Sequence, residues 1–236
     1  MPDESASKPP KRKADECPWY LLATLHGAPD SDDKELKKKN RVAWNKLMVP
    51  LLSEDDRVLL VQKGKLLPQE KTGFTTAEMN GVQAAFAHRR GPASTVPLPE
   101  LTQGVNQIDF SQVHFDHKFL VDGFLFPTGA DFRGATFSDH ASFEGVTFSD
   151  SALFEGVTFW GWAGFKGVTF SRSARFDDAN FSSASFWGAT FAAPAVFSHV
   201  TFSSAVLFAD VTFSSVANFS HATFCSATTF RPPDIA

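Results

Sequence analysis

Beyond residue 105 the chain places its large apolar residues at a spacing that no helix can use. They stand at Phe110, Phe115, Val121, Phe126, Phe132, Phe137, Phe143, Phe148, Phe154, Phe159, Phe165, Phe170, Phe176, Phe181, Phe186, Phe191, Phe197, Phe202, Phe208, Phe213, Phe219, Phe224 and Phe230. Steps of five and six alternate throughout, except from Phe181 to Phe186, where a five replaces a six. On a helix such steps would turn the mark by about 500° and 600° and scatter it around the cylinder. From residue 130 onward, Ala or Val precedes nearly every mark by two positions, and a polar or β-branched residue, often Thr, lies between them. Each unit therefore reads as a three-residue strand with two side chains facing in. Turn residues follow, as in Arg133-Gly134, Glu144-Gly145 and Glu155-Gly156, with Gly suited to the positive φ of a type II turn. The pattern predicts a coiled β-solenoid, its marks on the axis and its coils stacked at about 4.8 Å. Stacking buries each ring, at about 1.5–3 kcal/mol per Phe.

The first hundred residues have a different rhythm. Residues 1–16 are charged and Pro-containing, and read as a disordered tail. Its run Lys8-Pro9-Pro10-Lys11-Arg12-Lys13 has the composition of an import signal or a nucleic-acid patch, though a charge run in a short tail is ordinarily just solvated. The apolar stretch 18–25 must be buried somewhere. Three helices follow: from about Asp33 to Met48, with Leu36, Ala43 and Leu47 on one stripe; from an N-cap at Ser53 through Val61; and from Thr75, with Glu78 completing a capping box, through His88. The expected organisation is a tail at 1–16, a helical module at 17–91, a Pro-rich linker at 92–104, repeats at 105–230 and a short C-terminal tail at 231–236. Two readings of the last coil stay open: Pro232 and Pro233 blunt its edge, or a second copy stacks on it and makes a homodimer.

Composition narrows the function. A chain of 236 residues with 43% hydrophobic residues buries a real core, and a net charge of −4 argues against polyanion binding by bulk charge, so direct nucleic-acid binding is not expected. Cys17 and Cys225 stand far apart with no CxxC, which excludes a disulfide scaffold and points to a reducing, cytoplasmic setting. No stretch reads as a signal peptide or a membrane span. The oddest figure, 26 Phe against a single Tyr, belongs to the repeats, since only Phe74 and Phe86 precede them.

Tandem units such as Arg133-Gly134-Ala135-Thr136-Phe137 and Glu155-Gly156-Val157-Thr158-Phe159 resemble the pentapeptide-repeat family over about residues 105–230. The segments Trp19-Tyr20-Leu21-Leu22-Ala23-Thr24-Leu25, Lys39-Asn40-Arg41-Val42-Ala43-Trp44-Asn45 and Ala84-Ala85-Phe86 are similar to the leader that precedes such repeats in bacterial proteins. The resemblance implies a mainly β fold, a right-handed four-sided parallel β-helix, with a small N-terminal helical module that caps the first coil. Phe119 and Phe124, large where Ala is usual, suggest a wide first coil that needs a cover. With steps of five and six, four sides make a 22-residue coil, and that register puts Arg133 over Glu155, Glu144 over Lys166, and Asp178, His199 and His221 on one corner. The family also implies a non-enzymatic scaffold for a protein partner, or a DNA mimic that binds gyrase. The charges weigh against mimicry: a rod of ~27 Å would need on the order of 16 negative charges, and the repeats carry 12 acidic and 6 basic residues.

No catalytic triad, phosphate loop or metal cluster is legible, so no catalytic residue, cofactor or metal is assigned. The candidate partner contacts are Trp160, Trp162 and Trp187, aromatics at turn positions outside the inward pattern. The candidate acidic face is Asp139, Glu144, Asp150 and Glu155. Membrane-surface association is a third reading, resting on the apolar stretch 18–25 and the basic tail.

Overall fold

The computed structural model describes residues 11–28, 33–101 and 107–231. From residue 107 the chain winds into a parallel β-solenoid of about six turns. Every strand pair within it is parallel, and the partners lie 22 residues apart: Thr136 pairs with Thr158, Ala152 with Ala174, and Thr147 with Thr169. Where a coil contains the short step the interval falls to 21, as in Asn180 with Thr201 and Ala174 with Ala195. The four sides of a coil carry four columns of rings, which we number by the order in which the chain visits them. Side one holds Phe132, Phe154 and Phe176; side two Phe137, Phe159 and Phe181; side three Phe143, Phe165 and Phe186; side four Phe148, Phe170 and Phe191.

Within a column the rings lie parallel at van der Waals separation, 4.8 Å from Phe132 to Phe154 and 4.9 Å from Phe143 to Phe165. Columns on opposite sides interleave edge to face, Phe143 meeting Phe154 at 5.6 Å and 87°. The ring quadrupole favours this arrangement, by about 0.5–1.5 kcal/mol per pair beyond area burial. Phe143 and Phe165 are fully buried.

Two kinds of corner explain the alternation of five and six. After sides one and three the corner is short and turns through one left-handed residue. At Gly134 φ is 64°, and the Ala135 N–H donates to the Phe132 carbonyl at 2.9 Å, closing a type II turn. The same position in later coils is taken by Asp178, His199 and His221, with φ of 56°, 55° and 58°, where an L side chain costs about 1–2 kcal/mol. After sides two and four the corner carries one more residue. The exception is Ser182-Ser183, where the short step removes it and the strand Asn180–Ser185 runs unbroken around the bend.

The N-terminal residues build a lid. Residues 11–16, expected as part of the tail, are ordered: Arg12–Lys13 forms a strand that pairs in parallel with Val113 and His114, extending side two upward by one rung. The reason lies in contacts with the first coil, since Arg12 ion-pairs with Asp109 at 3.1 Å and donates to the Ser111 carbonyl at 2.6 Å. The remainder of the expected tail, residues 1–10, lies outside the described residues. The apolar stretch becomes helix α1 (Pro18–Ala23), with Tyr20, Leu21 and Leu22 buried. Helices α2 (Lys34–Met48), α3 (Glu54–Gln62) and α4 (Thr76–Arg90) follow. Asp33 caps α2 by accepting from the N–H groups of Glu35 and Leu36, Ser53 caps α3 through Asp56, and Thr75 with Glu78 forms the capping box of α4.

Candidate interaction surfaces

The lid treats the first coil as a partner. Tyr20 stacks on Phe119 and meets Phe115 edge-on at 5.4 Å, while Trp44 stacks on Phe124 at 5.3 Å. Trp44 Nε1 donates to the Leu125 carbonyl at 2.7 Å, Asn45 Oδ1 accepts from Leu125 N at 2.8 Å, and Asn45 Nδ2 donates to the Gly123 carbonyl at 3.1 Å. Side chains thus occupy the edge groups that a preceding coil would otherwise pair. Arg41 lies against Gly123, where a Cβ would come within 2.6 Å of its guanidinium, and it grips the fully buried Glu70 at 2.9 Å. Phe119 and Phe124 therefore sit under the cover that their size suggested.

The last coil has no such lid among the described residues. The strands Thr212–Phe213, Ala217–Asn218, Thr223–Phe224 and Thr228–Arg231 each pair on one side only. Phe213, Phe219 and Phe224 are half-buried, Phe230 is 58% exposed and Val216 70% exposed. Pro232 and Pro233, the residues thought to blunt this edge, lie outside the described residues.

The three tryptophans have different fates. Trp162 folds back over Gly164 and packs on His140, ring centroids 4.7 Å apart; burial lowers the His140 pKa below its ordinary 6.5. Trp187 donates from Nε1 to Asp210 at 2.5 Å, and Lys166 places its ammonium 4.4 Å from the ring centre. Trp160 points outward from side two, 68% exposed. Two of the three candidates are therefore engaged within the chain.

The acidic candidates do not form a face. Asp139 lies at the corner between sides two and three, Glu144 between three and four, Asp150 between four and one, and Glu155 between one and two. A DNA-like row needs them on one line. Glu155 is half-buried, which raises its pKa, and it pairs with Arg175 of the next coil at 3.1 Å.

Two expected ion pairs are also replaced. The register is as read, since Gly134 N–H donates to the Glu155 carbonyl and Gly145 N–H to that of Lys166. Arg133, however, turns back to Asp131, two residues earlier on its own coil, at 2.6 Å, because that carboxylate is almost wholly buried and must be compensated. Lys166 prefers the Trp187 face. The corner column is as expected: His199 and His221 stack at 4.8 Å in the column of Asp178. No group of three or more His, Cys, Asp and Glu that could hold a metal occurs among the described residues.

A family model described as pentapeptide repeats (9 copies) matches residues 122–169 and 160–201, within the coils whose register has just been traced. Residues 122–201 of the solenoid are pentapeptide repeats. No curated protein matches the chain. Pentapeptide-repeat solenoids are generally non-enzymatic, and the family suggests a repeat scaffold; among the described residues the polar sides, Trp160 and the last coil are open to solvent. The stretch 18–25, which suggested membrane-surface association, is spent inside the lid, and no helix among the described residues is long and apolar enough to cross a membrane.

Sequence reasoning missed the strand Arg12–Lys13, the edge-capping pair Trp44 and Asn45, and the Arg41–Glu70 clamp. One signal was present for the second: Asn45 is an amide beside an aromatic among the apolar residues Ala43, Trp44, Leu47 and Met48 of α2, and a buried amide needs backbone partners.

Proposed function

We propose that this protein is a non-catalytic scaffold that assembles through its last coil, with a second copy of itself as the partner. One observation carries the reading: four one-sided strands and four columns of rings end together at a surface where Phe230 and Val216 are exposed. A second copy related by a two-fold axis presents the same square of edges, so that strands pair antiparallel and each ring column meets another. Among the described residues, no other single surface offers both unpaired backbone and apolar area, which together favour stable association. The two cysteines are free, which supports a reducing, cytoplasmic setting.

Sedimentation and light scattering of the intact chain test the assembly. The expected result is a dimer that becomes a folded monomer in the double variant Val216→Asp, Phe230→Asp. A wild-type chain that stays monomeric at its highest soluble concentration, or a variant that remains dimeric, overturns the reading.

A further inference from the structure

The single break in the repeat spacing coincides with the one tryptophan that has no work inside the chain. On one coil the corner is Trp160-Gly161-Trp162; on the next it is only Ser182-Ser183, so the register slips between Phe159 and Trp162 and three residues face two. Gly161 lies so close to the coil above that a Cβ would meet the Asp139 carbonyl carbon at 2.5 Å, which fixes the backbone carrying Trp160. The result is a notch on side two with a volume of about 460 Å³, in the range of small-ligand sites. Its rim holds Thr158, Trp160, Asn180, Ser182 and Ser203.

The chemistry of that rim is selective. None of these side chains is charged, which removes the attraction for phosphates, carboxylates and ammonium groups. Three hydroxyls and one amide can each donate and accept, and beside them stands a broad indole open to solvent. A ligand matching this has one apolar C–H face for the indole and a girdle of neutral hydroxyls for the serines, threonine and asparagine. That combination describes a pyranose ring. Ser182 and Ser203 belong to successive coils, and the rise between coils, about 4.8 Å, is close to the length of one hexose along an extended chain. We propose that the Trp160 notch is a binding site for a neutral oligosaccharide, with the indole as stacking platform and Asn180, Ser182 and Ser203 as the hydrogen-bonding ladder. The site is independent of the last coil and of the assembly assigned to it.

The test follows the indole N–H signal of Trp160 in proton–nitrogen correlation spectra of the intact chain, identified by its loss in Trp160→Ala. Cellohexaose, N-acetylchitohexaose, maltohexaose and xylohexaose are titrated to millimolar concentration, with oligogalacturonate as the charged comparison. The expected result is a saturable shift of the Trp160 signal by at least one neutral oligosaccharide, with the Trp187 signal unmoved. Affinity measured by calorimetry should fall several-fold in Asn180→Ala and be lost in Trp160→Ala, which removes only an exposed ring and should keep the wild-type dichroism spectrum. No shift with any of the four neutral saccharides, stronger binding of oligogalacturonate, or wild-type affinity in Trp160→Ala would each overturn the proposal.

Discussion

The two ends of the solenoid solve the same problem in opposite ways. A parallel coil always leaves one rung of backbone without a neighbour at each end. At the first coil that rung is consumed by the chain itself: a short strand on side two, an indole N–H and an amide on side four, and aromatic rings over Phe119 and Phe124. Among the described residues the same geometry is left in the open at the last coil, with Phe230 more than half exposed. The difference teaches that regular repeats do not specify their own termination. The repeat supplies stacking, and an irregular sequence must supply the stop.

The comparison breaks most visibly if the lid proves dispensable. Trp44 is fully buried and holds the Leu125 carbonyl, so Trp44→Ala should lower stability by about 3–5 kcal/mol in denaturant titration. A loss below about 1 kcal/mol would mean that the first coil stands without its cover.

A matched pair sharpens the contrast between interior and end. Phe165, fully buried, stacks between Phe143 and Phe186; Phe230 stacks on Phe208 alone. Phe165→Ala should cost about 3–5 kcal/mol and Phe230→Ala under about 1 kcal/mol in the monomeric state. Equal losses would show the last coil to be as well packed as the middle.

The smallest expected effect lies between the ends, at His140. Burial keeps its folded pKa below 6.5, so the unfolded chain takes up a proton more readily than the folded one. The stability that this group contributes is complete above pH 6.5 and is lost as pH falls from there to the folded value. In Trp162→Ala the imidazole is uncovered, its pKa should move back up toward 6.5, and that part of the pH dependence should flatten. Histidine proton titration by nuclear magnetic resonance reads the shift directly, and an unchanged pKa would remove Trp162 as its cause.

The rod was legible because its physics is one-dimensional. Steps of five and six place every ring, and Arg133-Gly134 or Glu155-Gly156 announces each left-handed turn; the pairing of Thr136 with Thr158 follows by counting. The caps of α3 and α4 were legible for the same reason, being set within four residues of sequence. What could not be read depends on contacts far apart in the chain. Nothing in Arg12–Lys13 marks it as a strand until Gln112 and Val113 are beside it. Arg133 faces two acids, and only the burial of Asp131 decides between them. The acidic candidates were neighbours in sequence, but a four-sided winding sends Asp139, Glu144, Asp150 and Glu155 to four separate corners. Trp160, Trp162 and Trp187 share one signal in the sequence, and only contacts distant in the chain separate them: Trp162 is engaged by His140 and Trp187 by Asp210, while Trp160 is exposed.

Because pairing partners recur every 22 residues through most of the rod, an interior turn behaves as an exchangeable cassette. Excising residues 147–168 would bring Val146 to Thr169, a threonine in the same strand position as the Thr147 it replaces. Removing five residues instead would rotate everything downstream by a quarter revolution. The molecule can thus change length only in whole revolutions, each of about 4.8 Å, while its threonine rows keep their alignment.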